Sequence, residues 1–222
     1  MLPIQDTKAL SRFPFWTIII ILTNVYFFYL ELTSPNPDVF ISKYALIPNQ
    51  VHFESAVSLF PFISSQFIHA GFLHIFSNMI FLWVFGNNVE VFFRLLFPIF
   101  YLTAGIIAGL TQYIFTPTES IPMLGASGAV AGVLGSYLAL FPKNKIKTLV
   151  FIFIFVTIFD IPAYFLLPYW FFIQLFNGVA SVSTSAASGG IAFLPHIGGF
   201  LFGFLTTVLV SHKRNFLSNY VR

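Results

Sequence analysis

Along the chain, apolar residues gather into long runs separated by short polar breaks. Five such runs are Phe13 to Leu30, Ser64 to Phe85, Leu95 to Phe115, Ile121 to Phe141 and Ile191 to Ser211. Each is close to the roughly 20 apolar residues a helix needs to cross the hydrocarbon of a bilayer. The first run is longer than a signal-peptide core and no convincing small-residue cleavage site follows it, so it reads as a retained helix. A sixth region, from Thr148 to Val179, is interrupted only by Asp160. It is too long for one simple span and too short for a comfortable pair.

Charge decides between one crossing and two. With a cytoplasmic amino terminus and a single crossing, the cytoplasmic side receives Lys8, Arg12, Arg94, Lys143, Lys145, Lys147, Lys213, Arg214 and Arg222, and only Lys43 falls outside. Two crossings would export the basic Lys213-Arg214 tail, against the positive-inside tendency. The reading is therefore a span over Ile161 to Gly178, starting near Pro162, with Thr148 to Phe159 at or near the inner interface. This predicts an all-α polytopic membrane protein of six transmembrane helices: a short cytoplasmic segment over 1–12, a membrane domain over 13–211 and a cytoplasmic tail over 212–222. Glu31 to Ser65 becomes a long outer connection with "TSPNP" turn chemistry and a half-apolar body suited to the interface. "ASVSTSAASGG", residues 180 to 190, is small, polar and expected to be mobile. No soluble domain and no internal repeat is visible.

Composition agrees. The chain is 58% hydrophobic, 20% aromatic and 8% charged, where soluble domains carry about 25% charged residues. Cysteine is absent, which removes a disulfide framework, a thiolate nucleophile and a Cys-ligated metal. The net charge of +3 is what membrane topology requires of loops, so nucleic acid is not an expected partner.

Helix parity then brings the sparse polar residues together. Even-numbered helices run from outside to inside, so His69, His74 and Asn78 early in helix two, Ser127 at the start of helix four and His196 at the start of helix six share one depth. Polar groups in a membrane are costly and mark function or a partner. Each also has a plain structural reading. Ser127 among glycines could be helix-packing glue, since Gly105/Gly109, Gly128/Gly132 and Gly199/Gly203 are small-xxx-small pairs. His196 could be a satisfied core histidine. His74 and Asn78, at i and i+4, share a helix face and could cross-link helices. Jointly these readings weaken, because they require three coincidences of depth.

Other chemistries fall away. An intramembrane zinc protease lacks H-E-x-x-H, and a two-aspartate protease lacks a partner for Asp160. A metal held by His69, His74 and His196 is disfavoured because the step from His69 to His74 puts them on different helix faces, and no metal or other cofactor is expected. A serine activated by a histidine remains.

With "SQFIHAGFLHIFSNM" (65–79), "GASG" (125–128) and "HIGGFLFG" (196–203) in that order, the chain resembles the rhomboid intramembrane serine proteases of the six-helix bacterial type over essentially all its spans. The resemblance implies Ser127 as nucleophile and His196 as general base. It implies that His74 and Asn78, with the backbone N–H of Ser127, donate to the oxyanion, that His69 shapes the site, and that Gly199 and Gly203 bring helix six against helix four. It also implies membrane-protein substrates and a bacterial plasma membrane location. Departures from the family pattern are Pro195 in place of the usual alanine, Phe60-Pro61 in place of a common Trp-Arg pair, a shortened turn over Val91 to Arg94, and Ala131 where some members carry an aromatic that stacks on the histidine.

The residues support the chemistry in their own right. A serine at a helix amino terminus has unpaired backbone N–H groups and the positive end of the helix dipole beside it, which suits a developing oxyanion. Gly125 and Gly128 let the backbone turn tightly and a substrate strand approach. His196 would take the Ser127 proton and return it to the leaving amine. No membrane carboxylate is available as a third member, so the expectation is a dyad served by a cavity open to the outside and capped by 180–192; sideways entry of substrate from lipid, with helix five as the mobile side, is what the resemblance implies. A catalytically silent rhomboid-like protein that binds membrane helices is the alternative. A small transporter should show related halves or discontinuous helices, and neither is evident.

Overall fold

The computed structural model describes residues 1–10, 12–152, 155–184 and 193–214, without the side chains of 151–152, 174–184 and 213–214. In chain order its elements are β1 (Leu2–Asp6), α1 (Phe15–Leu32), α2 (Pro37–Tyr44), α3 (Ala56–Leu59), α4 (Pro61–Ser64), α5 (Phe72–Phe93), α6 (Phe97–Phe115), α7 (Ser127–Leu140), β2 (Lys145–Ile152), β3 (Phe155–Pro162), α8 (Ala163–Thr184) and α9 (Phe193–Arg214). The six long helices are those the apolar runs predict, and the protein is a mostly helical, polytopic membrane protein. Phe15–Leu32, Phe72–Phe115 (α5 and α6) and Phe193–His212 are long and apolar enough to cross a bilayer, while Ser127–Leu140 and Ala163–Ile173 are shorter apolar helices. Large apolar side chains such as Leu22, Ile99 and Leu209 are exposed on the bundle's outside, as a lipid-facing surface allows.

Boundaries shift where polar chemistry intervenes. The second predicted span begins eight residues late, because 64–71 turns through a short 3₁₀ segment at Ser65–Phe67 and the open-conformation Gly71 before α5 starts. His69 therefore precedes the helix rather than lying in it. The fourth span starts at Ser127 instead of Ile121. At 14 residues α7 is about 21 Å long, short of the roughly 30 Å of hydrocarbon, so the serine begins its helix within the bundle's thickness. The outer connection holds α2, capped at its start by the Asn36 side chain accepting from the Val39 N–H, and then α3 and α4. Of the expected mobile stretch, 180–184 continues α8 and 185–190 lies outside the described residues, as do the rest of the expected cap and residues 215–222 of the tail.

The interfacial stretch expected over Thr148 to Phe159 takes a defined form. It is part of an antiparallel hairpin, β2–β3, in register from Lys145↔Pro162 to Ile152↔Phe155. Its run of Ile, Val, Thr and Phe favours a pleated strand over a helix. The amino-terminal β1 pairs antiparallel with β2, Asp6 opposite Ile146, to give the order β1-β2-β3. The Asp6 carboxylate is buried and accepts from Asn88 Nδ2 (2.5 Å), Asn144 Nδ2 (3.2 Å), the Lys8 N–H (2.8 Å) and the Tyr137 hydroxyl. One short strand is thereby tied to the ends of α5 and α7. Nearby, Glu90 caps α1, accepting from the Trp16 and Thr17 N–H groups and the Thr17 hydroxyl at 2.8–2.9 Å. That is where a carboxylate best complements a helix amino terminus.

The core lies between α5, α6, α7 and α9, with Phe85, Phe92, Phe97, Tyr101, Leu134 and Tyr137 fully buried. Its densest seam joins α7 and α9. A Cβ on Gly199 would collide with the Gly128 carbonyl, and one on Gly203 with the Gly132 carbonyl. One turn further along, Thr207 donates a 2.8 Å hydrogen bond to Ser136. The three pairs repeat every four residues at a constant offset, which makes a straight small-residue seam between parallel helices.

Candidate active site

The seam places His196 and Ser127 together: Ser127 directly precedes Gly128, and His196 lies three residues before Gly199. His196 Nε2 lies 2.7 Å from Ser127 Oγ, within hydrogen-bond reach of a general base and its nucleophile. Both side chains are half-buried and face a cavity of about 510 Å³, whose walls include Gln66, His74, Asn78 and Trp170. No Asp or Glu among the described residues lines it. Among the described residues no group of His, Asp or Glu is arranged to hold a metal ion.

The segment leading into α7 is held by backbone pairing. Leu46 and Met123 exchange both hydrogen bonds (2.9 and 2.8 Å), and the Gly125 N–H donates to the Ser65 carbonyl at 2.9 Å. Gly125 has φ +113°, a conformation open to glycine at little cost. A Cβ there would also lie 2.6 Å from His74 Nε2 and 3.5 Å from Asn78 Nδ2. The two side chains thus converge on the backbone two residues before the serine. His74 Nδ1 accepts from the Ala70 N–H (3.4 Å), which leaves Nε2 as the ring's donor. The Asn78 amide nitrogen is buried and makes no hydrogen bond. An unpaired buried donor is costly, and here it borders the cavity beside the serine.

His69 stands behind this wall rather than in it. It is fully buried, packs edge-on against the rings of Phe28 and His74, and its Nε2 accepts from the Ala126 N–H at 3.5 Å. Its own backbone N–H donates to Glu31 Oε2 at 3.0 Å. His69 therefore links the end of α1 to the turn that presents Ser127. Glu31, which the sequence reading treats only as the start of a loop, is buried here.

Ala131 occupies the place where an aromatic would be needed to stack on His196. It is fully buried, and its Cβ lies 3.5 Å from where a Gly199 Cβ would stand, an ordinary contact distance within the seam. The ring beside His196 comes instead from α8. Trp170 lies 5.8 Å from the imidazole, centroid to centroid, at 39°, and 6.2 Å from Phe200. Nothing local in the sequence marks Trp170 for this position.

A family model of the Rhomboid domain matches residues 57–213, and the chain belongs to the rhomboid family. It is 34% identical over 122 residues, half of this chain, to "Rhomboid protein 1, mitochondrial" of Saccharomyces cerevisiae. To mouse "Presenilin-associated rhomboid-like protein, mitochondrial" it is 28% identical over 155 residues, 67% of this chain. To "Rhomboid protease GluP" of Bacillus subtilis it is 35% identical over 79 residues, 35% of this chain. These matches span 33%, 37% and 15% of the respective relatives' own lengths.

Proposed function

We propose that the chain is an intramembrane serine endopeptidase that cleaves other membrane proteins through a Ser127–His196 dyad. The observation that carries the reading is the 2.7 Å contact between His196 Nε2 and Ser127 Oγ in a cavity that an unpaired Asn78 amide and the His74 ring also border. Ser127 Oγ attacks the scissile carbonyl carbon as its proton passes to His196 Nε2. The oxygen that gains the negative charge is met by the Ser127 backbone N–H, Asn78 Nδ2 and His74 Nε2. His196 then protonates the leaving amine. Water, activated by the same imidazole, hydrolyses the acyl-enzyme and restores the serine.

The proposed substrate class rests on helix geometry together with the family resemblance. A peptide bond inside a regular helix has its carbonyl engaged four residues on, so Ser127 attacks only a locally unwound span. The substrate is another membrane protein whose span begins with small residues at the scissile bond, near the outer face, followed by a Gly- or Pro-containing stretch. Access is sideways from lipid, past α8. The proposed orientation, with both termini cytoplasmic, rests on the basic residues Lys8, Lys143, Lys145 and Lys147 at one end of the bundle; the proposed bacterial plasma membrane rests only on the resemblance to the six-helix bacterial type. Two of the relatives' names are mitochondrial.

The test is a tagged single-span reporter co-expressed with wild type or Ser127→Ala, its product mapped by mass spectrometry, together with fluorophosphonate labelling of the purified protein. Cleavage by wild type alone, suppressed when leucines stiffen the weak stretch, is expected. Binding of the reporter with neither cleavage nor labelling would replace this reading with a silent helix-binding protein.

A further inference from the structure

The β2–β3 hairpin has a polarity the catalytic reading leaves unused. Successive strand residues point to opposite faces, yet Phe155, Val156, Ile158 and Phe159 are 69%, 57%, 56% and 47% exposed. Both faces of β3 are therefore largely apolar and uncovered, and among the described residues no strand pairs with its outer edge. Charge gathers at the base. Lys143, Lys145 and Lys147 are exposed, with Lys147 opposite Asp160. The base is held against the membrane helices without a linker. The Ala163 N–H donates to the Asn144 carbonyl at 2.8 Å, the Tyr164 N–H donates to the Pro142 carbonyl at 2.9 Å, and α8 starts directly after β3.

In water, an exposed apolar strand with a free edge is a site for aggregation. Deep in hydrocarbon, its unpaired backbone groups would go unsatisfied. The zone between satisfies both requirements: apolar side chains enter the acyl boundary while headgroups and their water meet the strand edge. Three lysines at the base suit anionic phosphates there. We propose that the hairpin is a lipid-binding element lying in the interface of the leaflet on the side of β1, with its apolar side chains among the acyl chains and Lys143, Lys145 and Lys147 on anionic headgroups. This does not depend on the protease reading, because it involves no residue of the cavity.

The absence of cysteine makes the test direct. Ile158→Cys and Phe159→Cys, on opposite faces of β3, are each labelled with an environment-sensitive nitrobenzoxadiazole in the full chain reconstituted into liposomes with and without phosphatidylglycerol. Expected at both positions are blue-shifted emission, quenching by shallow nitroxide lipids and protection from aqueous iodide. The doubly substituted Lys145→Gln, Lys147→Gln protein should lose any strengthening of that signal by phosphatidylglycerol. Val156→Cys serves as a further reporter should either variant fail to fold. Iodide quenching without lipid quenching at either face overturns the proposal. So does energy transfer between labelled copies that survives lipid dilution without lipid quenching, since β3 would then be pairing with a second chain.

Discussion

Ser127 and His196 stand 69 positions apart in the chain and 2.7 Å apart in the fold. Groups that act as one unit lose their effect together. Ser127→Ala, His196→Ala and the double variant should thus have the same residual cleavage rate, within error, while each folds and inserts. Multiplying losses in a single-turnover assay would mean that the two side chains act separately.

In the proposed mechanism, Asn78 and His74 stabilise charge that exists only in the transition state. Removing one oxyanion donor typically costs ~100-fold to 1,000-fold in turnover. Asn78→Ala and His74→Ala should lower kcat on that scale with little change in KM. Near-normal kcat in both would put the oxyanion elsewhere.

In the proposed dyad, Trp170 acts through His196, as a positioning residue whose ring lies beside the imidazole. An aromatic contact is worth about 0.5–1.5 kcal/mol, and each 1.36 kcal/mol is about tenfold in rate. Trp170→Ala should therefore slow both cleavage and labelling by a small fluorophosphonate about twofold to tenfold, and Trp170→Phe should recover most of the loss. If only reporter cleavage slows and labelling does not, Trp170 contacts substrate and leaves the histidine alone.

The α7–α9 seam has no room for a side chain at its glycines. Gly203→Val places atoms against the Gly132 carbonyl, and overpacking of this kind costs about 1–3 kcal/mol or more. Thermal unfolding in detergent should occur well below wild type, with labelling of Ser127 falling in parallel. An unchanged Tm would show that the helices can part without cost.

At the opposite end, Asp6→Ala leaves the donors of Asn88, Asn144 and Tyr137 without their shared acceptor. An unsatisfied buried donor costs about 1–3 kcal/mol, so Tm should drop while the labelling rate of the folded fraction stays at the wild-type value. A drop in that rate at unchanged Tm would tie the strand to the site instead of to the scaffold.

Local pattern determined a good deal of this protein. Five apolar runs close to bilayer length and a sixth region resolved by loop charge specified six helices, because a backbone in lipid must satisfy its hydrogen bonds within the segment. The glycines around Ser127 and after His196 were legible as close-contact positions, and the order of the three polar motifs carried the family resemblance. Relations between distant segments needed the tertiary structure. The Gly128/Gly199, Gly132/Gly203 and Ser136/Thr207 pairs are a choice of register between helices, which neither helix encodes alone. The pairing of Leu2–Asp6 with Lys145–Ile152 joins the two ends of a long loop in sequence, and a five-residue strand carries too little local signal to announce it. Trp170 is an ordinary membrane-helix tryptophan in the sequence; the docking of α8 onto α9 is what sets its ring beside His196.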